Sequence, residues 1–250
     1  IILKQVYIKK DLALKIALEK EKKKEGNGII CVFALTQKRG RGRLKRDWSS
    51  PKGNIYLSMI LSPEHKLSLQ DTQKLNLTFA LSIKRTIDGY LKNSKIRCII
   101  KWPNDVWIEE KTTRKKIAGI LCESYGTDVI DFLIVGIGLN VKTTPQVDIA
   151  TSISEFAKVN LTSVCVRLLE NIVKVYTEFK EGKWLVMKSE IENNLLYSGE
   201  NVKVNITQSK NVFGRIRGIN TNGGLLIETP QGVLESINVG GYDILEYPVE

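Results

Sequence analysis

The sequence predicts an α+β fold, with an antiparallel or mixed sheet in a first domain and a small SH3-like β-barrel at the C-terminal end. Strand-like segments come in runs and helix-like segments in runs, which argues against alternating βαβ units. The G-x-G at Gly136 and Gly138 has no third glycine in register and no helix directly after it, so a Rossmann fingerprint is not supported. After Tyr197-Ser198-Gly199 the texture changes to short strands punctuated by turns, which divides the chain into domains at 1–197 and 198–250.

Lys10–Lys24 places Leu12, Ile16 and Leu18 among alternating charges and predicts an amphipathic helix. Ile29–Leu35 is β-branched and apolar, a buried strand, and Ile55–Leu61 is a second one. Leu69–Leu91 repeats Leu75, Phe79, Ile83 and Ile87 at i, i+4 spacing, which predicts a long helix with one buried face. Arg97–Trp102, Val106–Glu109, Ile117–Ser124 and Val129–Val141 read as four consecutive strands, with Lys111–Lys115 as a polar hairpin tip. Leu161–Phe179 and Lys183–Leu196 are helical. The barrel strands are Val202–Ile206, Val212–Ile219, Leu225–Glu228 and Val233–Ile237, separated by Asn220–Gly224 and Pro230–Gly232.

With 42% hydrophobic and 26% charged residues in 250, the chain has the composition of a folded protein. No apolar run approaches the roughly 20 residues that a membrane-spanning helix needs, so no membrane partner is expected. A formal charge of +11 points to an anionic partner such as a nucleotide, a nucleic acid or an acidic protein. Lys20–Lys24 reads as the solvated end of a helix, whereas the basic residues of Lys38–Arg46 are interleaved with glycine. The four cysteines, Cys31, Cys98, Cys122 and Cys165, show no C-x-x-C spacing and read as buried thiols of a reducing, cytoplasmic compartment. The single histidine, His65, sits in a Pro-Glu-His loop and reads as a surface residue, which removes histidine triads and histidine-based zinc sites.

Four segments carry the chemistry. Thr36-Gln37-Lys38-Arg39-Gly40-Arg41-Gly42-Arg43 continues to Arg46, Trp48, Ser50-Pro51 and Gly53-Asn54 at the end of a buried strand. Its glycines let backbone N–H groups approach a ligand, and its arginines offer forked donors to carboxylate or phosphate. An arginine–glycine loop that binds RNA without sequence preference is an equal reading of this segment alone. In Lys101-Trp102-Pro103-Asn104-Asp105, proline breaks the ladder and leaves Asn104 and Asp105 at a strand end. Asp105 there could orient a lysine or share a magnesium ion, although by itself the segment reads first as an Asx turn. Lys116-Ile117-Ala118-Gly119 opens a small-residue strand on which a flat ligand could lie. Val135–Asn140 gives a ring access to the strand, with Asn140 as a polar anchor.

Together and in this order, these segments resemble the biotin protein ligases over nearly the whole chain: G-R-G-R-x-x-R-x-W-x-S-P-x-G-N, K-W-P-N-D, K-I-A-G-I-L-x-E and V-G-I-G-L-N, followed by the barrel. The resemblance implies a catalytic domain of the biotin/lipoate ligase type, with ATP and biotin as substrates, Mg2+ as cofactor and a biotin carboxyl carrier domain as acceptor. By the same analogy Gln37, Gly40, Arg41, Lys116 and Gly119 meet biotin. Arg43, Arg46, Trp48, Asn104, Asp105, Lys116 and Asn140 meet ATP, with Lys116 and Arg43 as the catalytic pair and Asp105 linked to magnesium. Lys116 would act as an electrostatic stabiliser and not as a base, since carboxylate attack on the α-phosphorus brings two anions together.

The sequence departs from the family twice. Family members usually place Ser or Thr against the biotin ureido group where this chain reads Ile8-Lys9-Lys10-Asp11-Leu12, and Lys45 stands where the loop usually has glycine. Some members carry an N-terminal winged helix that represses transcription; none precedes the catalytic segments in this sequence, so specific DNA binding is not expected. A homodimer is left open. The rivals are a lipoate or octanoate ligase of the same fold and, from a different class, a basic nucleic-acid-binding module.

Overall fold

The computed structural model describes residues 29–61, 67–68, 71–92, 95–127, 129–206, 211–238 and 243–246. The helix expected at Lys10–Lys24, the departure at Ile8–Leu12 and His65 lie outside them.

The first sheet is built from β1 (Ile29–Ala34), β4 (Ile55–Leu61), β5 (Ile96–Lys101), β6 (Asp105–Glu110), β7 (Thr113–Tyr125) and β8 (Phe132–Leu139), in the order β1-β4-β8-β7-β6-β5. Every ladder in it is antiparallel. A two-stranded ribbon, β2 (Gly40–Arg41) with β3 (Asp47–Trp48), stands apart between β1 and β4. β7 is longer than the expected Ile117–Ser124, because the hairpin tip tightens to a turn at Lys111 with φ 54° and the strand restarts at Thr113.

Helix α1 (Asp71–Asp88) packs on β5 and β7, and α2 (Leu161–Lys180) packs across it. The i, i+4 pattern predicts one buried face, but α1 is buried on nearly all sides because sheet and α2 enclose it. Its interior hydroxyls turn back on the helix: Ser82 Oγ donates to the Phe79 carbonyl (2.7 Å) and Thr86 Oγ1 to the Ser82 carbonyl (2.8 Å). α2 is the amphipathic case, with Val164, Leu168, Ile172 and Val175 buried and Asn160 capping its start by accepting from the Ser163 N–H. α3 (Trp184–Glu192) ends before the expected Leu196, and the chain then passes through turns into the barrel.

The barrel has five antiparallel strands, β9 (Asn201–Asn205), β10 (Asn211–Ile219), β11 (Leu225–Glu228), β12 (Leu234–Ile237) and β13 (Asp243–Glu246), in the order β12-β11-β10-β9-β13. The last strand is one more than the sequence pattern predicts. All four cysteines are free; Cys31 and Cys98 are buried on strands as expected, whereas Cys122 on β7 and Cys165 on α2 are half-buried. Burial pushes the Cys31 thiol up to about 11 and the Cys122 thiol to about 12, so both stay protonated and inert at neutral pH.

Arg85 of α1 ties the helical layer together through Glu178 (2.8 Å) and Glu190 (2.6 Å). Its hydrogen bonds hold the Glu190 carboxyl below its ordinary range. A carboxyl lowered by folding stabilises the fold above its unfolded pKa, and the contribution is lost as pH falls through the folded value. Glu190→Gln should therefore cost about 1 kcal/mol at pH 7 after solvent screening, and the difference from wild type should close in acid. Urea melts at both pH values read this; an equal difference at both would mean that the charge is not involved.

Candidate active site

The cleft lies against the sheet where β4, β8, β7 and β6 run together, under the segment that carries the β2–β3 ribbon, and has a volume of about 340 Å³. A bulge in β7 decides which side chains line it. Val106 pairs with Ala118 but Trp107 with Lys116, so Ile117 is an extra residue in the strand. Residues three apart on a regular strand face opposite sides. Here the bulge turns Lys116 and Gly119 to the same side, and a Cβ on Gly119 would stand 3.3 Å from Lys116 Cε and 3.4 Å from Asp105 Oδ1. The Lys116 ammonium pairs with Asp105 Oδ2 at 2.7 Å.

Trp48 covers the glycines. A Cβ on Gly138 would lie 2.5 Å from its Cε2 and Nε1, and one on Gly119 would lie 2.9 Å from its Cζ3. The flat group resting on Gly119 is thus this indole, with Lys116 Nζ 5.3 Å from the ring centroid in a cation–π arrangement.

The arginine loop is held by its own backbone: Gly42 N–H donates to the Arg46 carbonyl (2.7 Å) and Arg46 N–H to the Arg43 carbonyl (3.1 Å), with Leu44 at φ 55° between them. Arg43 Nη1 donates to Asn104 Oδ1 at 3.0 Å, and Asn104 Nδ2 donates to the Ile120 carbonyl at 2.6 Å. The Asn104 amide is committed to orienting Arg43 and joining it to β7. Gln37, Arg41 and Arg46 line the same cleft, and Gly40 pairs with Trp48 in the ribbon behind them. Asn140 donates from Nδ2 to the Thr151 carbonyl (3.0 Å), and the segment from Ile149 to Thr151 is bound to both backbone groups of Lys116.

The expected residues therefore come together. Lining groups outside the sequence-derived set include Arg39, Asp47, Lys101 and Glu123, which belong to motifs already noted, and the wall of Pro145, Val147, Ile149 and Ala150. That wall has no sequence motif; Val147 and Ile149 are exposed, whereas Pro145 and Ala150 are buried. Asn54 is a further omission: its Oδ1 accepts from Val141 N–H (2.8 Å) and Thr143 N–H (3.1 Å), which anchors the loop after Asn140.

Cationic groups predominate, with Arg39, Arg41, Arg43, Arg46, Lys101 and Lys116 facing Asp47, Asp105 and Glu123. Several buried polar atoms here have no hydrogen-bond partner among the described residues: Trp48 Nε1, Asp105 Oδ1, Asn140 Oδ1 and, behind Asn140, Thr151 Oγ1. Leaving such an atom unpaired costs about 1–3 kcal/mol. No group of three potential metal ligands occurs among the described residues. Asp105, Asp47 and Glu123 are the carboxylates that line the cleft, and of these Asp105 is paired with Lys116.

Residues 8–140 match the Biotin/lipoate A/B protein ligase family, and residues 197–241 match the Biotin protein ligase C terminal domain. The bifunctional ligase/repressor BirA of Bacillus subtilis is 34% identical over 212 residues, covering 81% of this chain and 62% of that protein. The chain thus spans less than two thirds of that relative's length. The biotin–[acetyl-CoA-carboxylase] ligase of Paracoccus denitrificans is 34% identical over 121 residues, 48% of each chain. The structure of biotin protein ligase from Aquifex aeolicus in complex with biotin and ATP superimposes with a TM-score of 0.73 at 32% identity, covering 91% of this chain and 94% of that one. The Leishmania major enzyme in complex with biotin, at 22% identity and a TM-score of 0.61, shares the fold.

If Trp48 rests on Gly138, Gly138→Ala should lift the indole from the sheet. Acrylamide quenching of tryptophan emission should then rise, and the rise should vanish when Trp48→Phe is added. Equal quenching in Gly138→Ala and wild type would show that the ring is not seated there.

Proposed function

The chain belongs to the biotin/lipoate A/B protein ligase family, and from that premise we propose that it activates biotin with ATP and transfers it to a lysine of a biotin carboxyl carrier domain. The observation that carries this reading is the placement of Lys116 and Arg43 in the lining of one cationic cleft, held by the neighbouring residues Asp105 and Asn104, one fixed to a strand and the other to a loop. Adenylate formation needs that arrangement, since two anions must be brought within bonding distance.

In the first half-reaction a biotin carboxylate oxygen attacks the α-phosphorus of ATP. The bond from the α-phosphorus to the bridging oxygen breaks and pyrophosphate leaves, giving biotinyl-5′-AMP. Lys116 would sit between carboxylate and α-phosphate and offset their repulsion, while Arg43 and Arg46 hold phosphate oxygens. Magnesium would enter with ATP, offsetting phosphate charge, and Asp105 is the residue that would hold it. Gln37, Gly40, Arg41 and Gly119 would surround biotin, with Trp48, Asn104 and Asn140 toward the nucleotide.

In the second half-reaction the neutral amine of the acceptor lysine attacks the acyl carbon, the bond to phosphate breaks, AMP leaves and the amine proton passes to solvent. No protein nucleophile is required. Biotin is favoured over lipoate because residues 197–241 match a biotin ligase C-terminal domain and because relatives at 34% and 31% identity over about half of the chain are named as biotin ligases. We take residues 1–197 as the catalytic unit and 198–250 as the barrel. A reducing compartment suits the free thiols, and no described helix is long and apolar enough to cross a membrane.

Lys116→Ala should lower biotin-dependent pyrophosphate release by about 100-fold or more, the scale of losing one preorganised charge, without loss of fold by circular dichroism. Wild-type protein that releases no pyrophosphate in response to biotin, or that responds equally to lipoate, would overturn the reading. Arg43→Gly should retain the adenylate less well, so bystander lysines should be labelled more by mass spectrometry. Unchanged bystander labelling with activity preserved would remove Arg43 from phosphate binding.

A further inference from the structure

A dense set of hydrogen bonds joins the barrel to the first domain and reaches the lining of the cleft at Trp102. The turn between β10 and β11 is organised by Asn220. Its Oδ1 accepts from the N–H groups of Asn222 and Gly224, both at 2.8 Å, and its Nδ2 donates to Ser236 Oγ at 2.6 Å. Gly223 takes φ +82°, a left-handed conformation that favours glycine. A Cβ there would also press on Gln73 Cγ at 3.3 Å.

The turn presents two carbonyls to the first domain. Trp184 Nε1 donates to the Thr221 carbonyl at 2.7 Å. The Gly223 carbonyl accepts from Trp102 Nε1 at 2.9 Å and also from Gln73 Nε2. Trp102 is only 2% exposed, so its indole N–H depends on a partner within the protein.

Trp102 is also the first residue of the corner that builds the cleft. The Pro103 carbonyl accepts from Asn76 Nδ2 at 3.1 Å. Asn104 then bonds the backbone of Ile120 in both directions and receives Arg43, and Asp105 pairs with Lys116. A continuous path therefore runs from Asn220 through the Gly223 carbonyl and Trp102 to the two residues that orient the catalytic cations. No residue of the turn lines the cleft.

We propose that the Asn220–Gly224 turn is a positioning element for adenylate formation, acting through Trp102 on Asn104 and Asp105. The assignment rests on the ligase reading for its chemistry but not for its geometry. Catalysis is steep in position, and a misplacement of about 1 Å can cost about 100-fold in rate. Fixing this corner from the barrel makes the second domain part of the active site without contributing a residue to it.

The test uses the full chain with Asn220→Ala, Asn220→Asp, Trp102→Phe and the Asn220→Ala/Trp102→Phe double variant. Trp102→Phe removes one donor and leaves the Gly223 carbonyl partnered by Gln73. Asn220→Asp keeps the side-chain acceptor that caps the turn. Asn220→Ala should lower kcat for biotin-dependent ATP–pyrophosphate exchange about tenfold, with biotin affinity within about twofold of wild type. Asn220→Asp should restore the rate, and the double variant should be no slower than Trp102→Phe alone, as coupled sites require.

Hydrogen exchange without substrates gives a second readout. Amides of residues 104–107 and of Ile120 should exchange faster in Asn220→Ala and in Trp102→Phe, while residues 55–61 should not change. Unaltered exchange at 104–107, additive losses in the double variant, or a rate that falls only with the unfolded fraction would overturn the proposal. If Asn220→Ala does not fold, Trp102→Phe carries the same comparison. A wild-type protein without exchange activity whose amides still respond to the substitutions would retain the coupling and overturn the ligase reading.

Discussion

One extra residue in β7 sets the identity of the cleft. Without the bulge at Ile117, Lys116 would project to the face covered by helices, where an ammonium group would meet the buried layer of α1. With it, the ammonium and Gly119 share the open face, Asp105 stands opposite, and Ile117 and Ala118 remain fully buried in the sheet. The surrounding backbone reinforces this arrangement, because both backbone groups of Lys116 are bonded to the segment Ile149–Thr151. The wall of the cleft and its central cation are thus held by the same strand position.

Around that position several polar atoms are buried beside oriented cations. Trp48 Nε1, Asp105 Oδ1 and Asn140 Oδ1, on three residues that line the cleft, are buried without partners among the described residues, as are Thr72 Oγ1, Asn76 Oδ1, Thr78 Oγ1 and Trp107 Nε1 away from it. Nearby cations, by contrast, are oriented by partners: Lys116 by Asp105 and Arg43 by Asn104. This combination, fixed positive charge beside unsatisfied polar atoms, suits an anionic ligand with polar edges better than a nucleic-acid surface, for which exposed and mobile charge would suffice. The Trp48 indole lying on Gly119 and Gly138 shows that the floor accepts a flat ring, as the small residues of both strands suggested.

Much of this was legible in residue order. The strand segments, the two long helices and the barrel follow from periodicity and turn residues, and the four motifs converge in space. Three features were not legible, each for a physical reason. The bulge at Ile117 leaves no mark, because an apolar residue at that position is equally good in a regular strand. The near-complete burial of α1 depends on α2, which is remote in sequence, while the i, i+4 pattern reports only its first covered face. The commitment of Asn104 to Arg43 and Ile120 could not be separated from an Asx turn, since the same side chain serves both.

The barrel extends the same logic beyond the cleft, because a carbonyl in one domain fixes an indole in the other and, through it, the corner that holds Asn104 and Asp105. The proposed chemistry puts an acyl adenylate in the cleft with Lys116 at the junction of acyl group and phosphate. A crystal structure with a hydrolysis-resistant analogue of biotinyl-5′-AMP tests it most directly. The account predicts Lys116 Nζ within hydrogen-bonding distance of the acyl and phosphate-equivalent oxygens, with Arg43 on the phosphate-equivalent group. An analogue bound elsewhere, or one bound in the cleft that leaves Lys116 turned away from that junction, would contradict it.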